Sequence, residues 1–494
     1  MIDKPFLNKE TEGTNKEMVL SKQEMLDYGY QIVDTIVEHF ETQHLKAPVS
    51  VSTREEMDSV FLEEAPENPM NAIDVLEFVK EKVFSETTNV AHPKFFSFVP
   101  SPSNFISAMS DSLATGFNIF SGGWSTSAAA ELEIVCINWL LKLFNFPVKK
   151  GGGIFTSGGS MANLTALVTA RREKLGENFE NGTIYMSDQT HSSNIKAIRV
   201  IGLKKEQVRI IPTDLEFKMS LNKLRNAIAK DKLMGFKPFC IIANAGTTNT
   251  GSVDNLFEIS KICKAEKIWL HVDAAYGGGA ILSTKGTLAL KGIEKANSIT
   301  IDPHKWFYQP YEIGCLLVRN HKWLSNTFTE KPEYLKDIEG NQSEINFYDY
   351  GIQLTRRFRA LKFYMSIKTF GLKAFREAVT YNIELAEKTE QLIRKSKYWE
   401  IVAPANLAII NFRYNPVDTD YKENELDRIN QAISQRIGNQ KSAMLVTTIL
   451  QNQIVLRMCL INPRTTINSI KETLKLCHTF AIEISKTAGD AVKK

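Results

Sequence analysis

From about residue 151 the chain predicts an α/β domain built on a mostly parallel sheet. Two observations predict it. Short apolar runs, rich in β-branched residues, alternate with helical patterns, as expected when both faces of a sheet are covered. The runs also end in Gly, Ser, Thr, His, Asp or Lys, at the carboxyl ends where open parallel sheets bind ligands. On either side the texture differs. Residues 1–95 offer only helical patterns and read as a helical N-terminal arm. Residues 386–494 show locally pairing strands with helices and read as a smaller α+β domain. That leaves 96–385 as the large domain.

Taken in order, an apolar stripe (Met25, Tyr28, Ile32, Ile36, Val37, Phe40) predicts a helix over 21–43, and a second follows over 71–84. Two such helices make no core alone, so the arm needs a surface to pack on, and a second subunit is the natural candidate. His92–Ser103 interleaves three aromatics with three prolines, which suits either a rigid pocket wall or a buried connector. Helices are expected over 103–116 and 127–144. Then come strands at 154–156, 183–188, 208–212, 239–244, 269–273, 298–301 and 313–318, with helices between them. One of these helices is capped by Ser220 and stops at Gly235. Helices over 353–371 and 372–395, strands near 400–402 and 407–414, a helix over 423–437, a hairpin over 443–459 and a helix over 467–486 complete the reading.

Composition narrows the function classes. Sixty Lys and Arg against 56 Asp and Glu leave a net charge of +4 over 494 residues. That balance gives no electrostatic reason for a nucleic-acid or membrane partner. The six cysteines (Cys136, Cys240, Cys263, Cys315, Cys459, Cys477) are scattered, with no C-x-x-C, and read as reduced residues of a cytoplasmic protein. Met1–Lys9 is too polar for a signal peptide. The longest apolar stretch, Ile134–Phe146, is interrupted by Asn138 and Lys142 and is too short to span a bilayer. The eight histidines show no ligand spacing, so no catalytic metal is expected.

The strand ends supply the chemistry. Ser298–Trp306 is a β-branched run that turns at Asp302-Pro303 and delivers His304 and Lys305; Trp269–Gly277 places Asp273 where its strand meets a Gly-rich loop. A lysine and an acid on neighbouring strand ends form an ion pair in most proteins. They are also what pyridoxal phosphate requires, an amine for a Schiff base and a carboxylate for the pyridine nitrogen. Gly158-Gly159-Ser160, opening a helix, offers unhindered N–H groups and a dipole to a phosphate. His191 is able to stack on a flat ring. A dinucleotide site fits poorly, because Gly151–Gly159 lacks the G-x-G-x-x-G order and no acid follows at the right distance.

With these motifs in this order, residues 20–485 resemble the group II pyridoxal-phosphate decarboxylases, in particular the aromatic L-amino-acid decarboxylases. The resemblance implies the fold type I architecture of pyridoxal-phosphate enzymes and an interlocked homodimer. It implies that His191 is the ring-stacking histidine, Asp273 the pyridinium partner and Lys305 the cofactor-bearing lysine. Gly158, Gly159, Ser160, His304 and Ala275 fall at cofactor-contacting positions, and Thr247 near the ring hydroxyl. Tyr334 matches the tyrosine of a catalytic loop, and Arg356–Arg359 follows it as in the family. The substrate wall implied is Phe98, Val99, Phe120, Gly122 and Thr355, with Phe120 and Thr355 lent by the neighbouring subunit. Four departures stand out. Asp302 takes the place of the usual Asn of animal members near the phosphate. Phe98 and Val99 replace a Tyr-Phe pair. Gly122-Gly123 replaces a bulky aromatic. Thr355 replaces a Gly or other small residue.

The implied reaction is decarboxylation of tryptophan, phenylalanine and to a lesser degree tyrosine, giving amines such as tryptamine and phenylethylamine. The substrate amine displaces Lys305, the pocket aligns the carboxylate bond for cleavage, and Tyr334 or an ordered water protonates the α-carbon. An acidic amino-acid decarboxylase is the rival within the class, and a catalytically silent binding homologue the rival outside it. If Tyr334 is the acid, Tyr334→Phe leaves cofactor binding nearly intact and cuts amine release about 10²–10⁴-fold, with aldehyde formed in its place. Amine release at the normal rate in that variant would make the tyrosine a bystander.

Overall fold

A computed structural model describes residues 18–99, 101–124, 128–330 and 344–492. The chain separates into two compact units. One comprises residues up to Lys46 with Ser50–Thr88, and the other Ala47–Val49 with everything from Asn89 onward.

The first unit holds α1 (Lys22–Thr42), α2 (Arg54–Phe61) and α3 (Ala72–Phe78), the last running into a π-helical turn, Val79–Phe84. α1 opens with a reciprocal cap: Ser21 Oγ accepts from the Glu24 N–H while the Glu24 carboxylate accepts from the Ser21 N–H. Thr53 and Glu56 repeat the device at α2, a helix that the sequence reading does not predict although its T-x-x-E signature is present. Among the described apolar residues of this unit only Leu76 is buried. Of the predicted stripe of α1, Tyr28, Ile32, Ile36 and Phe40 are half-buried and Met25 and Val37 exposed, and Leu26, Tyr30 and Val33 outside the stripe are also open to solvent.

The second unit begins with α4 (Phe105–Gly116) and α5 (Ala128–Leu143). The alternation follows: β1 (Gly152–Thr156), α6 (Gly159–Leu175), β2 (Gly182–Ser187), α7 (Ser192–Val200), β3 (Val208–Ile211), α8 (Leu221–Leu233) and β4 (Lys237–Asn244). It continues with α9 (Leu256–Glu266), β5 (Trp269–Asp273), α10 (Thr284–Ala289), β6 (Ser298–Ile301), β7 (Gly314–Val318) and α11 (Lys322–Phe328). Last come α12 (Ala360–Arg394), β8 (Trp399–Asn406), β9 (Ile409–Tyr414), α13 (Glu423–Asn439), β10 (Val446–Leu450), β11 (Gln453–Cys459) and α14 (Ile467–Val492).

Seven strands form one sheet in the order β1-β7-β6-β5-β4-β2-β3. All run parallel except β7, which is antiparallel to both neighbours. Alternation along β4 shows how both faces fill. Cys240 and Ile242 join a cluster with Leu167, Ala170, Ala197 and Ile198 of α6 and α7. Ile241 and Ala243 point the other way, into the main core with residues of α5, α8, α9 and α12. Register sets the strand ends in one row, with Asn244 opposite Asp273 and Asp273 opposite Thr300. A second, antiparallel sheet runs β10-β11-β9-β8. Its β10–β11 hairpin turns on Gln451 and Asn452, both with positive φ, the conformation that matches strand twist.

Two local expectations need correction. Ser220 sits at the N-cap of α8 but makes no side-chain capping bond. α12 starts at Ala360, not near 353, because ion pairs claim the two buried arginines that precede it. Arg356 bonds to Glu133 of α5, to the Ser121 carbonyl and to the Phe155 carbonyl of β1, while Arg359 pairs with Glu312. The break expected between two helices at residue 371 is present: Gly371, with a φ of +69°, is non-helical and kinks α12 there. Among the described residues no helix is long and apolar enough to cross a membrane, and all six cysteines are buried and unpaired.

β7 and the Gly158-Gly159-Ser160 turn approach closely through their backbones. A Cβ on Gly314 of β7 would lie 2.4–2.8 Å from backbone atoms of Gly158. Gly314→Ala is therefore expected to cost about 1–3 kcal/mol through overpacking. Gly438→Ala in α13, where nothing lies within 4 Å, should instead stabilise by up to about 1 kcal/mol. Urea unfolding midpoints moving in opposite directions for the two variants are the check.

Candidate active site

At the carboxyl ends of β1, β2, β4, β5 and β6 the sheet opens into a cavity of about 300 Å³. Gly158, Gly159, Ser160, His191, Thr247, Asp273, Ala275, His304 and Lys305 all line it, so the structure brings these nine predicted residues together.

Asp273, the last residue of β5, is 7% exposed. Its Oδ2 accepts from Asn163 Nδ2 at 2.9 Å and Asn194 Nδ2 at 2.7 Å, and its Oδ1 from the Ala275 N–H at 3.2 Å. A chain of donors stands behind Asn163. Because its amide nitrogen donates to Asp273, its Oδ1 accepts from His271 Nε2–H at 3.0 Å. His271 Nδ1 then accepts from Ser298 Oγ at 2.9 Å, and Ser298 Oγ accepts from Trp269 Nε1–H at 2.8 Å. Burial holds His271 neutral, lowering its pKa to about 4 against the opposing pull of Asp273.

His191 is the N-cap of α7, and its Nδ1 accepts from the Ser193 N–H and faces Ser193 Oγ at 2.8 Å. Its ring is open on the cavity side, yet the surrounding protein lowers its pKa, burial outweighing the attraction of Asp273. The result is a neutral, flat, oriented imidazole. The turn after β6 places the other groups. Lys305 Nζ lies 3.0 Å from Asp302 Oδ2, and His304 Nε2 lies 3.6 Å from the same oxygen. Burial pulls the Lys305 ammonium down, but the charge and hydrogen bond of Asp302, helped by Asp273, raise it above the ordinary lysine value. Burial likewise lowers His304, with Asp302 opposing. Trp306 anchors this turn, donating to Asn382 Oδ1 of α12 and stacking on Tyr276 with ring centres 5.3 Å apart. Across the cavity Gly246 has φ +94°, and a Cβ there would meet Tyr276 and Gly277 at 2.9 Å, so that loop requires glycine.

Residues 55–415 match the pyridoxal-dependent decarboxylase conserved domain. The chain belongs to this family. It is 46% identical over 479 residues to an aromatic-L-amino-acid decarboxylase of Bacillus atrophaeus, covering 95% of this chain and 98% of that one. Its fold superposes on Oryza sativa TDC solved with PLP and tryptamine, at a TM-score of 0.89 and 26% identity, covering 94% and 99% of the two chains. It also superposes on Catharanthus roseus tryptophan decarboxylase in complex with L-tryptophan, at 0.87 and 26%, with the same coverage.

The enzyme is thus a pyridoxal-phosphate-dependent carboxy-lyase, and the donor set fits its cofactor. Lys305 would supply the amine, and Asp273 would be a fixed acceptor for a ring N–H. His191 would offer a neutral ring face, and the N-terminus of α6 at Gly159 would offer N–H groups to a phosphate. Asp302 Oδ1, buried without a hydrogen-bond partner, marks a spot where a polar ligand is expected.

The five residues of the expected substrate wall do not line this chain's own cavity. Val99 is buried, while Phe98 is 62% exposed at φ +54° with its carbonyl accepting from Arg457 Nη1. The space beside Gly122 is filled, since a Cβ there would lie 2.3 Å from the Phe120 ring and 2.7 Å from the Leu354 carbonyl. The missing side chain therefore opens no room at that point. Phe120 is half-buried, Thr355 is exposed, and Tyr334 lies outside the described residues. Asn163 and Asn194 were missed by sequence reasoning. Their signal was available: each is an Asn on an otherwise apolar, buried helix face, four and three residues after Gly159 and His191.

The lowered value of His271 sets a pH dependence. A histidine with an ordinary unfolded value near 6.5 and a folded value of about 4 favours folding above pH 6.5. That contribution is lost as pH falls through this window, because the unfolded chain binds the proton first. The wild type should lose thermal stability between pH 6.5 and 4 more steeply than His271→Gln, by up to about 1.4 kcal/mol per pH unit. Equal slopes in calorimetric melts of the two proteins would remove His271 from this account.

Proposed function

We propose that this decarboxylase acts on aromatic L-amino acids, converting tryptophan and phenylalanine, and less readily tyrosine, to the amine and carbon dioxide. The observation that carries the reading is the charge of the cavity lining. Lys305 is the one Lys or Arg among the lining residues, and it is committed to the cofactor. An acidic substrate needs a second cation to hold its extra carboxylate, and the described lining offers none. The name of the Bacillus relative and the tryptophan-related ligands of the two plant structures support the same reading.

Bound pyridoxal phosphate supplies the electron sink for the pair left behind when carbon dioxide departs. The chain's own groups do the rest. Asp273, held by three donors, keeps a proton on the facing ring nitrogen by charge pairing. His191 presents its neutral ring face and restricts how a flat partner tilts. The Nζ amine of Lys305 would hold the cofactor and would give way there to a substrate amine. Tyr334 is the proton donor to the α-carbon in this reading.

The apolar face of α1 supports a homodimer, since five of its large apolar side chains are exposed in the single chain. Phe120 and Thr355 then belong to the neighbouring subunit's pocket, with residues 1–95 as the interlocking arm and 386–494 as the small domain. Six buried free thiols fit a cytoplasmic, reducing setting.

Amine detection after incubation with each of the twenty amino acids tests the substrate class. Tryptophan and phenylalanine should lead by kcat/KM, differing from tyrosine by about 10–200-fold at most. Lys305→Ala should be inactive, and borohydride reduction should fix the cofactor to Lys305. Glutamate or aspartate as best substrate overturns the aromatic reading.

A further inference from the structure

We propose that Asp302 receives the proton of the Lys305 ammonium as the cofactor is taken up, and remains a neutral carboxylic acid in the loaded enzyme. An ammonium has no lone pair, so Lys305 has to lose a proton before its nitrogen bonds to the cofactor's aldehyde carbon. Asp302 Oδ2 stands 3.0 Å away, with the acid 4% and the lysine side chain 22% exposed.

The other groups facing this pair are poorly placed to take the proton. His304 Nδ1 accepts from the Ile313 N–H, so Nε2 is its N–H nitrogen and is a donor, not a base. Asp273 already accepts three hydrogen bonds. His191 spends Nδ1 on Ser193. Tyr311, whose ring lies 5.1 Å from that of His304, is a phenol. Lys362 is a cation paired with Asp111.

A second observation points the same way. The two carboxyl oxygens of Asp302 lie 2.8 and 3.2 Å from where a Cβ on Gly159 would sit. The carboxyl therefore abuts the first residue of α6, the helix end that offers N–H groups to the phosphate, and Oδ1 there is buried and unpartnered. Two anions sharing one buried site retain a proton between them. The proton that Lys305 has to lose meets that need internally. The Nζ–H bond breaks and an Oδ2–H bond forms, leaving a neutral amine and a neutral acid. The amine then adds to the aldehyde carbon, whose oxygen leaves as water. As an acid, Asp302 is a donor where the carboxylate could only accept.

Infrared difference spectroscopy on the full-length protein, before and after addition of pyridoxal phosphate, reads the protonation directly. With aspartate labelled by carbon-13 at the side-chain carboxyl, loading should bring up one acid carbonyl band. The band should shift with the label and with deuterium exchange, and disappear in Asp302→Asn. In Asp302→Glu the band should remain but lose its sensitivity to the aspartate label. Visible absorbance of the same samples verifies cofactor uptake, so a failure to bind is distinguished from a failure to protonate. Uptake without a label-sensitive acid band, or a band that persists in Asp302→Asn, overturns the proposal.

Discussion

The site depends on one buried carboxylate being held still. Asp273 closes β5 in the middle of the sheet, and leaving it without donors would incur the full cost of a desolvated charge. Donors come from three places, α6 through Asn163, α7 through Asn194, and the chain just beyond it through Ala275. The relay from Trp269 through Ser298 and His271 fixes which end of the Asn163 amide points at the acid. A flipped amide would set oxygen against oxygen. The polar network thus decides the orientation of α6, and with it the position of the helix end that meets a phosphate.

The opposite side of the cavity is organised by an ion pair. Asp302 offsets the desolvation of Lys305 and keeps the amine within reach of the cavity. Its turn is held from outside by Trp306 and Asn382, so the lysine's position is referenced to α12 as well as to β6. Asp273 and Asp302 therefore have different duties despite identical chemistry. One is saturated with donors. The other has a cation on one oxygen and nothing on the other, beside the anion-binding end of α6. That separation gives two like carboxyl groups different hydrogen-bonding surroundings in one cavity.

Much of this was legible from local pattern. Short apolar, β-branched runs placed the strands, and glycine-rich strand ends marked the cavity rim. The nine cofactor-side residues converge because parallel strands that all end at one edge bring their last residues into one row, as the Asn244, Asp273 and Thr300 pairing shows. Helix α2 was legible too, through Thr53 and Glu56, but eight residues with only Met57, Val60 and Phe61 apolar are too short to show a clear period.

Local pattern does not encode which distant groups meet. The bond from Asn163 to Asp273 spans 110 residues of sequence and that from Asn194 spans 79; both follow from the strand order, which no periodicity specifies. The same holds for Arg356, whose charge is neutralised by Glu133 across 223 residues, and whose burial delays the start of α12. The space beside Gly122 is a further case: a missing side chain suggests room, but the Phe120 ring fills it. The sequence by itself determined which residue types stand at the strand ends, because backbone propensity and side-chain period are local. Tertiary structure decided their partners and their charge states, because hydrogen bonding and desolvation depend on what folding brings within about 3 Å.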